Sequence, residues 1–354
     1  MRRAARTGLL AAALTGAFTA AHRESIAAAQ EGPTPAAQTE SPAALAEVRR
    51  LINAGAPGQA LAALQTLAGE ADAARRPQIA LLFGVAHYHA DDPSSAIAAL
   101  LPVVDRLPAD SVERREAEQV LGLSLFVVGR FAEAVPRLEA TRRWAPENLE
   151  LAYALGQAYI RTHQPEGARA ALASIYGVER DSAGAHLLTA QTMIRLELDS
   201  LAEPELKTAL EKDARLANAN FLLGQVALFR GRIDEAIALT ERELAVNPGH
   251  ATALSQLGDA YLRQGRTAEA IAALQKSLWL NPYYSAPYIL LGRAYMKKGE
   301  GATAEGMLRR AIQHDPNNRS AHYLLAQLLQ QAGREEEARR EFAIAEALSG
   351  TRGP

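Results

Sequence analysis

The histidines are the first residues to ask about chemistry, and there are eight: His22, His87, His89, His163, His186, His250, His314 and His322. Metal binding and acid–base catalysis both need such groups to converge on one point. His87 and His89 form the only close pair, and two residues apart on a helix means about 200° apart around its axis. His186 and His322 hold the same place in a recurring pattern, so they belong to separate layers. His250 and His314 adjoin Pro248 and Pro316, where connections are expected. The chain has no Walker-type glycine loop, no His-Glu-x-x-His and no Gly-x-Ser-x-Gly. Glu235, Glu241 and the run Glu335 to Glu337 read as solvated helix faces. The sequence therefore reads as a non-enzyme with no metal site and no cofactor.

Amides and cations are more orderly. Gln157, Gln191, Gln225, Asp259, Arg293 and Gln327 recur every 34 residues, and Arg161, Arg195, Phe229, Arg263, Lys297 and Gln331 each follow four residues later. Four residues is about one helical turn, so the two rows share a side. Regularly spaced amides suit the backbone of an extended peptide. Arg161, Arg195, Arg263 and Lys297 suit acidic side chains or a terminal carboxylate. The same rows are equally compatible with ordinary solvated faces, and the sequence alone leaves both readings open. Tyr153, Phe221, Ile289 and Tyr323 lie four residues before members of the first row and either form apolar pockets or pack between helices.

Such rows need elements that hold them in phase. Gly122, Gly156, Ala190, Gly224, Gly258, Gly292 and Ala326 are each 34 residues apart, and twelve residues after each stands Ala134, Ala168, Ala202, Ala236, Ala270, Ala304 or Ala338. Gly84 with Ala96 and, more weakly, Val48 with Ala60 extend the series backwards. In Ala251 to Asn281, Leu254, Leu257, Ala260 and Tyr261 line one face of a first helix. Gly265 supplies a turn. A second helix through Ile271, Leu274 and Leu278 stops at Pro282. Gly129 with Pro146, Gly231 with Pro248 and Gly299 with Pro316 repeat those stops. Folding at Gly265 is expected to set Gly258 opposite Ala270, where a bulky residue would force the helices apart. One such hairpin cannot bury enough apolar surface alone, so neighbours must stack.

This unit of helix, turn and helix resembles the tetratricopeptide repeat family. Leu223, Gly224, Ala236 and Pro248 carry the likeness, as do Tyr261 and Tyr295 three residues after their glycines. The resemblance implies an all-α, right-handed superhelical solenoid of about eight to nine antiparallel helix pairs over residues 42–350. It implies that first helices line a concave surface that receives the partner, and that His87 replaces a packed Tyr. Ala190 to Ala214 departs, lacking the glycine and the closing proline, and Pro42 to Asp72 lacks a clear aromatic. The subfamily that clamps chaperone C-termini places Lys and Asn where this chain has Tyr153 with Gln157 and Phe221 with Gln225, so that role is not expected.

Composition agrees. Of 354 residues, 48% are hydrophobic and only 5% aromatic, mostly Ala and Leu, which favours helix. The net charge of −2 gives no general affinity for nucleic acid or anionic lipid. Arg2, Arg3 and Arg6 precede the apolar stretch Gly8 to Ala21, with Ala27 to Ala29 as a cleavage site. Residues 1–29 thus read as an export signal, too short for a usual membrane span, with an uncleaved anchor as the alternative. Residues 30–41, rich in Pro, Thr and Gln, read as a flexible linker and 351–354 as a tail. The chain has no cysteine, which excludes a lipidated-cysteine anchor.

The final helix carries Phe342, Ile344, Ala345 and Leu348 with no further helix to cover them, so a second copy or a partner is expected there. The function expected is a protein-protein interaction scaffold, periplasmic or otherwise exported, that binds an extended peptide. The alternative is a structural or assembly subunit of an envelope, pilus or export complex that acts through outer or terminal surfaces. A membrane association is expected only if the N-terminal segment is retained.

Overall fold

A computed structural model describes residues 42–68 and 77–350. The export signal, linker and tail expected at 1–29, 30–41 and 351–354 lie outside the described residues. Those described hold eighteen α-helices and no strand. They form two compact units that meet in sequence between Arg180 and Asp181.

The N-terminal unit pairs α1 (Pro42–Asn53) with α2 (Pro57–Ala68), α3 (Pro77–His89) with α4 (Pro93–Leu100), α5 (Val112–Val127) with α6 (Phe131–Trp144) and α7 (Leu149–Arg161) with α8 (Pro165–Ile175). A 3-10 turn at Val104–Arg106 takes up the extra residues between the second and third pairs. The C-terminal unit pairs α9 (Ala183–Arg195) with α10 (Asp199–Lys212), α11 (Ala219–Phe229) with α12 (Ile233–Val246) and α13 (Ala251–Arg263) with α14 (Thr267–Leu280). It ends with α15 (Ser285–Lys298) and α16 (Gly301–His314), then α17 (Arg319–Gln331) and α18 (Glu335–Gly350). Each first helix packs on its second helix, giving an all-α solenoid of helix pairs. The expected helices of Ala251 to Asn281 are α13 and α14, and Pro146, Pro248, Pro282 and Pro316 each follow the end of a second helix.

Local chemistry starts and stops these helices. Asn148, Ser182, His250 and Asn318 each accept a hydrogen bond from the backbone amide three residues on, satisfying an otherwise orphaned donor at the start of a first helix. Every hairpin turns on a residue of left-handed backbone: Gly55, Asp91, Gly129, His163, Glu197, Gly231, Gly265, Gly299 and Gly333. Three of these are not glycine. The departing repeat at Ala190 therefore keeps its turn, with Glu197 at φ 61° in place of a glycine.

The landmark glycines are confirmed as close approaches, but the opposing residue differs from the expectation. A Cβ on Gly258 would stand 2.5 Å from Cγ of Leu274, sixteen residues on, so the nearest obstacle is not Ala270. The second helix leans its larger side chain over the gap one turn beyond the alanine. Gly84 meets Leu100, Gly122 meets Leu138, Gly156 meets Leu172 and Gly292 meets Leu308 in the same way. Gly224 is the exception: its counterpart is Thr240, and the nearest atom is Nε2 of Gln256 from the next first helix, 2.8 Å away.

Hairpins are also registered by polar contacts. Tyr261 donates its hydroxyl to Glu241 of the preceding second helix at 2.9 Å, and Tyr159 does the same to Glu139. Within hairpins, buried His186 bonds Glu205 at 2.7 Å and His322 bonds Glu341 at 2.6 Å. These are structural bridges between paired helices, and among the described residues no group of three or more metal-ligating side chains converges. At the C-terminal end Ala345 is buried, Phe342 packs on Tyr323, and Ile344 is exposed.

Candidate binding cavity

In the C-terminal unit the first helices α11, α13, α15 and α17 pack successively against one another, and no pair of successive second helices packs comparably. The first helices thus form the inner wall. A cavity of about 800 Å³ opens on it, within the range of ligand sites.

Its floor comes mainly from α13, and its cations come one each from α13, α15 and α17. Ser255 and Gln256 sit at the centre, with Asp259 and Arg263 one and two turns further on. Phe221, Gln225 and Leu228 of α11 form one side; Ile289, Leu290 and Arg293 of α15 form the other, with Tyr284 leading into that helix. Beyond them, Arg319, Ser320 and Tyr323 of α17 close the far end.

Two interactions fix this geometry. Gln256 donates from Nε2 to the Thr240 hydroxyl at 2.8 Å and to the Phe221 carbonyl at 3.2 Å, stitching α13 to the hairpin before it. His250 accepts the Ala253 amide at Nδ1, bonds Asn218 through Nε2 at 2.8 Å, and packs against Phe221 with ring centroids 4.7 Å apart and the ring planes tilted by 37°. Phe221 is held at the cavity edge by this ring. Tyr284 pairs with Ser255, and burial holds its phenol above the usual range.

The charges are unbalanced. Arg263 donates twice to Asp259, at 2.9 and 3.1 Å, and Arg293 approaches the other oxygen of the same carboxylate at 3.9 Å. Three guanidiniums, on Arg263, Arg293 and Arg319, therefore share a wall with one carboxylate. Guanidinium groups bind carboxylates bidentately, which suits an acidic ligand.

Of the residues singled out from sequence, Phe221, Gln225, Asp259, Arg263 and Arg293 meet at this cavity, and so do Ile289 and Tyr323. Gln191, Arg195, Lys297 and Gln327 belong to the same unit but do not line it. Tyr153, Gln157 and Arg161 belong to the N-terminal unit, where Tyr153 and Gln157 are half-buried and Arg161 is exposed. Sequence reasoning missed Ser255, Gln256, Tyr284 and Arg319. For Ser255 the signal was present: its row reads Leu187, Phe221, Ser255, Ile289 and Tyr323, with one small residue among large ones.

Comparison with known proteins comes to the same repeat. One tetratricopeptide repeat model matches residues 200–245 and 221–285, and a second matches 128–192, 261–311 and 295–347. No curated protein matches the chain. Among solved structures, MamA from Desulfovibrio magneticus RS-1 is 19% identical, covering 49% of this chain and 98% of that one, with a TM-score of 0.43. Pseudomonas aeruginosa pilF is 22% identical over 55% of this chain and 89% of its own, with a TM-score of 0.45. The APC/C hetero-tetramer Cut9-Hcn1 is 17% identical over 82% of this chain and 56% of that one, with a TM-score of 0.44.

Proposed function

Because the chain belongs to the tetratricopeptide repeat family, whose members are typically non-catalytic scaffolds for other proteins, we propose that it holds an extended, acidic segment of a partner protein in the cavity of its C-terminal unit. The observation that carries this reading is the inner wall itself, where three arginines and one aspartate stand among Phe221, Ile289 and Tyr323. Apolar side chains supply burial, and the excess cations select the sign of the ligand.

The chain acts as an exported protein in this reading, supported by the basic, apolar and small-residue order of residues 1–29. Fractionation of cells, with the mass of the mature N-terminus, tests it. Recovery of the intact chain in the cytoplasm would remove it.

A second reading has its own observation. Trp279, near the end of α14, and Tyr283 just beyond it are 82% and 80% exposed. Large aromatics in that state suit an assembly subunit acting through its second-helix surface. Photo-cross-linking groups at Gln225 and at Trp279 separate the two in the native compartment. Adducts from Gln225 that vanish with Arg263→Glu and Arg293→Glu support the cavity, whereas adducts from Trp279 alone transfer the function to the outer surface.

A further inference from the structure

The row of residues three before each landmark position is bulky in every hairpin of the C-terminal unit except one. Leu187, Phe221, Ile289 and Tyr323 are large; Ser255 is not. Ser255 is buried at the floor of the cavity, between Phe221 on one side and Ile289 on the other. The cavity opens where this bulky row is interrupted, with Tyr284, which pairs with Ser255, standing beside the short side chain as part of the lining, and Gln256 pinned to Thr240 and Phe221 fixes the position of the neighbouring groups.

We infer that Ser255 is the selectivity position of this wall, admitting one bulky apolar side chain of an extended segment while Arg293 and Arg319 bind acidic residues beside it. The inference rests on the proposed scaffold reading and names the ligand more narrowly. Packed helices lie about 8–10 Å apart, so the four first helices span roughly 30 Å, the reach of about nine extended residues. In an extended segment alternate side chains point to one face, so an apolar anchor over Ser255 leaves residues two positions away facing the same wall. There they meet the guanidiniums. The one carboxylate, Asp259, is already engaged by Arg263, which leaves the local charge positive. The partner feature that fits is a large aliphatic or aromatic residue with Asp or Glu close by.

The test is selection of a phage-displayed library of random twelve-residue peptides on the full chain, followed by affinity measurement with a synthesised enriched peptide. Enriched peptides are expected to share a bulky apolar residue with an acidic residue within two or three positions. Ser255→Leu, which fills the floor, and Thr252→Trp, which overhangs it from an exposed rim position, are each expected to weaken binding at least tenfold. Circular dichroism melting shows whether either variant keeps its fold, and Thr252→Trp carries the test if Ser255→Leu does not. Peptides enriched for acid alone, or affinity unchanged in folded Thr252→Trp, overturn the role of Ser255 and leave the scaffold reading standing. No enrichment over an unrelated helical protein overturns both.

Discussion

Gln256 on α13 places its amide nitrogen 2.8 Å from the Thr240 hydroxyl on α12, in the space that a leucine fills beside other landmark glycines. This polar pair replaces an apolar knob, so its members depend on each other. Thr240→Leu alone is expected to crowd Gln256 and leave its amide short of a partner, destabilising by about 1–3 kcal/mol. Adding Gln256→Leu, the residue type at Leu222 and Leu290, is expected to recover part of that loss. A double-mutant cycle in urea should show coupling of about 1 kcal/mol or more; additive effects would count against the pairing.

Gly258→Ala tests the close approach of α13 and α14. The new methyl would sit 2.5 Å from Cγ of Leu274, so either that side chain or the helix must move. The expected loss is about 1–3 kcal/mol by overpacking. Leu274→Ala in the same chain should offset the crowding while opening a cavity of its own. Thermal melts of the three variants check the order: each single change lower than the parent, and the double change better than the sum of the two.

Glu197 and His163 occupy the turn with φ 61° and 58°, a region that costs an L-residue about 1–2 kcal/mol relative to glycine. Glu197→Gly and His163→Gly are expected to raise the melting temperature by a few degrees each. Gly265→Ala, at φ 81°, is expected to lower it. A fall in both glycine variants would show that unfolded-chain entropy outweighs the relief of strain.

Glu203 on α10 is clasped by the turn of the following hairpin. Arg232 bonds it at 2.9 and 3.2 Å, Lys207 approaches at 2.9 Å and Arg230 at 2.5 Å. Hydrogen bonding from Arg232, then from Lys207, pulls its carboxyl from the ordinary 4.5 to about 2. A carboxyl depressed on folding stabilises in full above its unfolded value, and that stabilisation is lost as pH falls from 4.5 toward about 2. Glu203→Gln is therefore expected to be less stable than the parent at pH 6 and to lose less on acidification. Urea midpoints at pH 6, 4 and 3 measure both, and parallel acid limbs would refute the assignment.

The repeat was legible because helix packing imposes a fixed interval on small residues, and a fixed interval survives in sequence whatever lies between. Closing prolines and most turn glycines were legible for the same reason. The turns at Asp91, His163 and Glu197 were hidden because a left-handed backbone leaves no mark when the residue is not glycine. At the cavity, the rows on α11, α13 and α15 located Phe221, Gln225, Asp259, Arg263 and Arg293. Their spacing of four residues also held the information that Asp259 and Arg263 pair, which turns a free cation into a neutralised one. Ser255 escaped attention because a search for large or charged groups passes over a gap. The packing of Phe221 against His250 had no sequence signal, since those residues lie on different hairpins.

Because each segment of the inner wall belongs to its own hairpin, recognition and architecture are inherited separately in this chain. One codon at position 255 alters what one stretch of the surface accepts, and the framework of landmark glycines and overlying leucines is untouched. Duplication or loss of a 34-residue block would lengthen or shorten the bound stretch by a fixed step. Ligand preference can drift residue by residue along such a wall without the fold having to change with it.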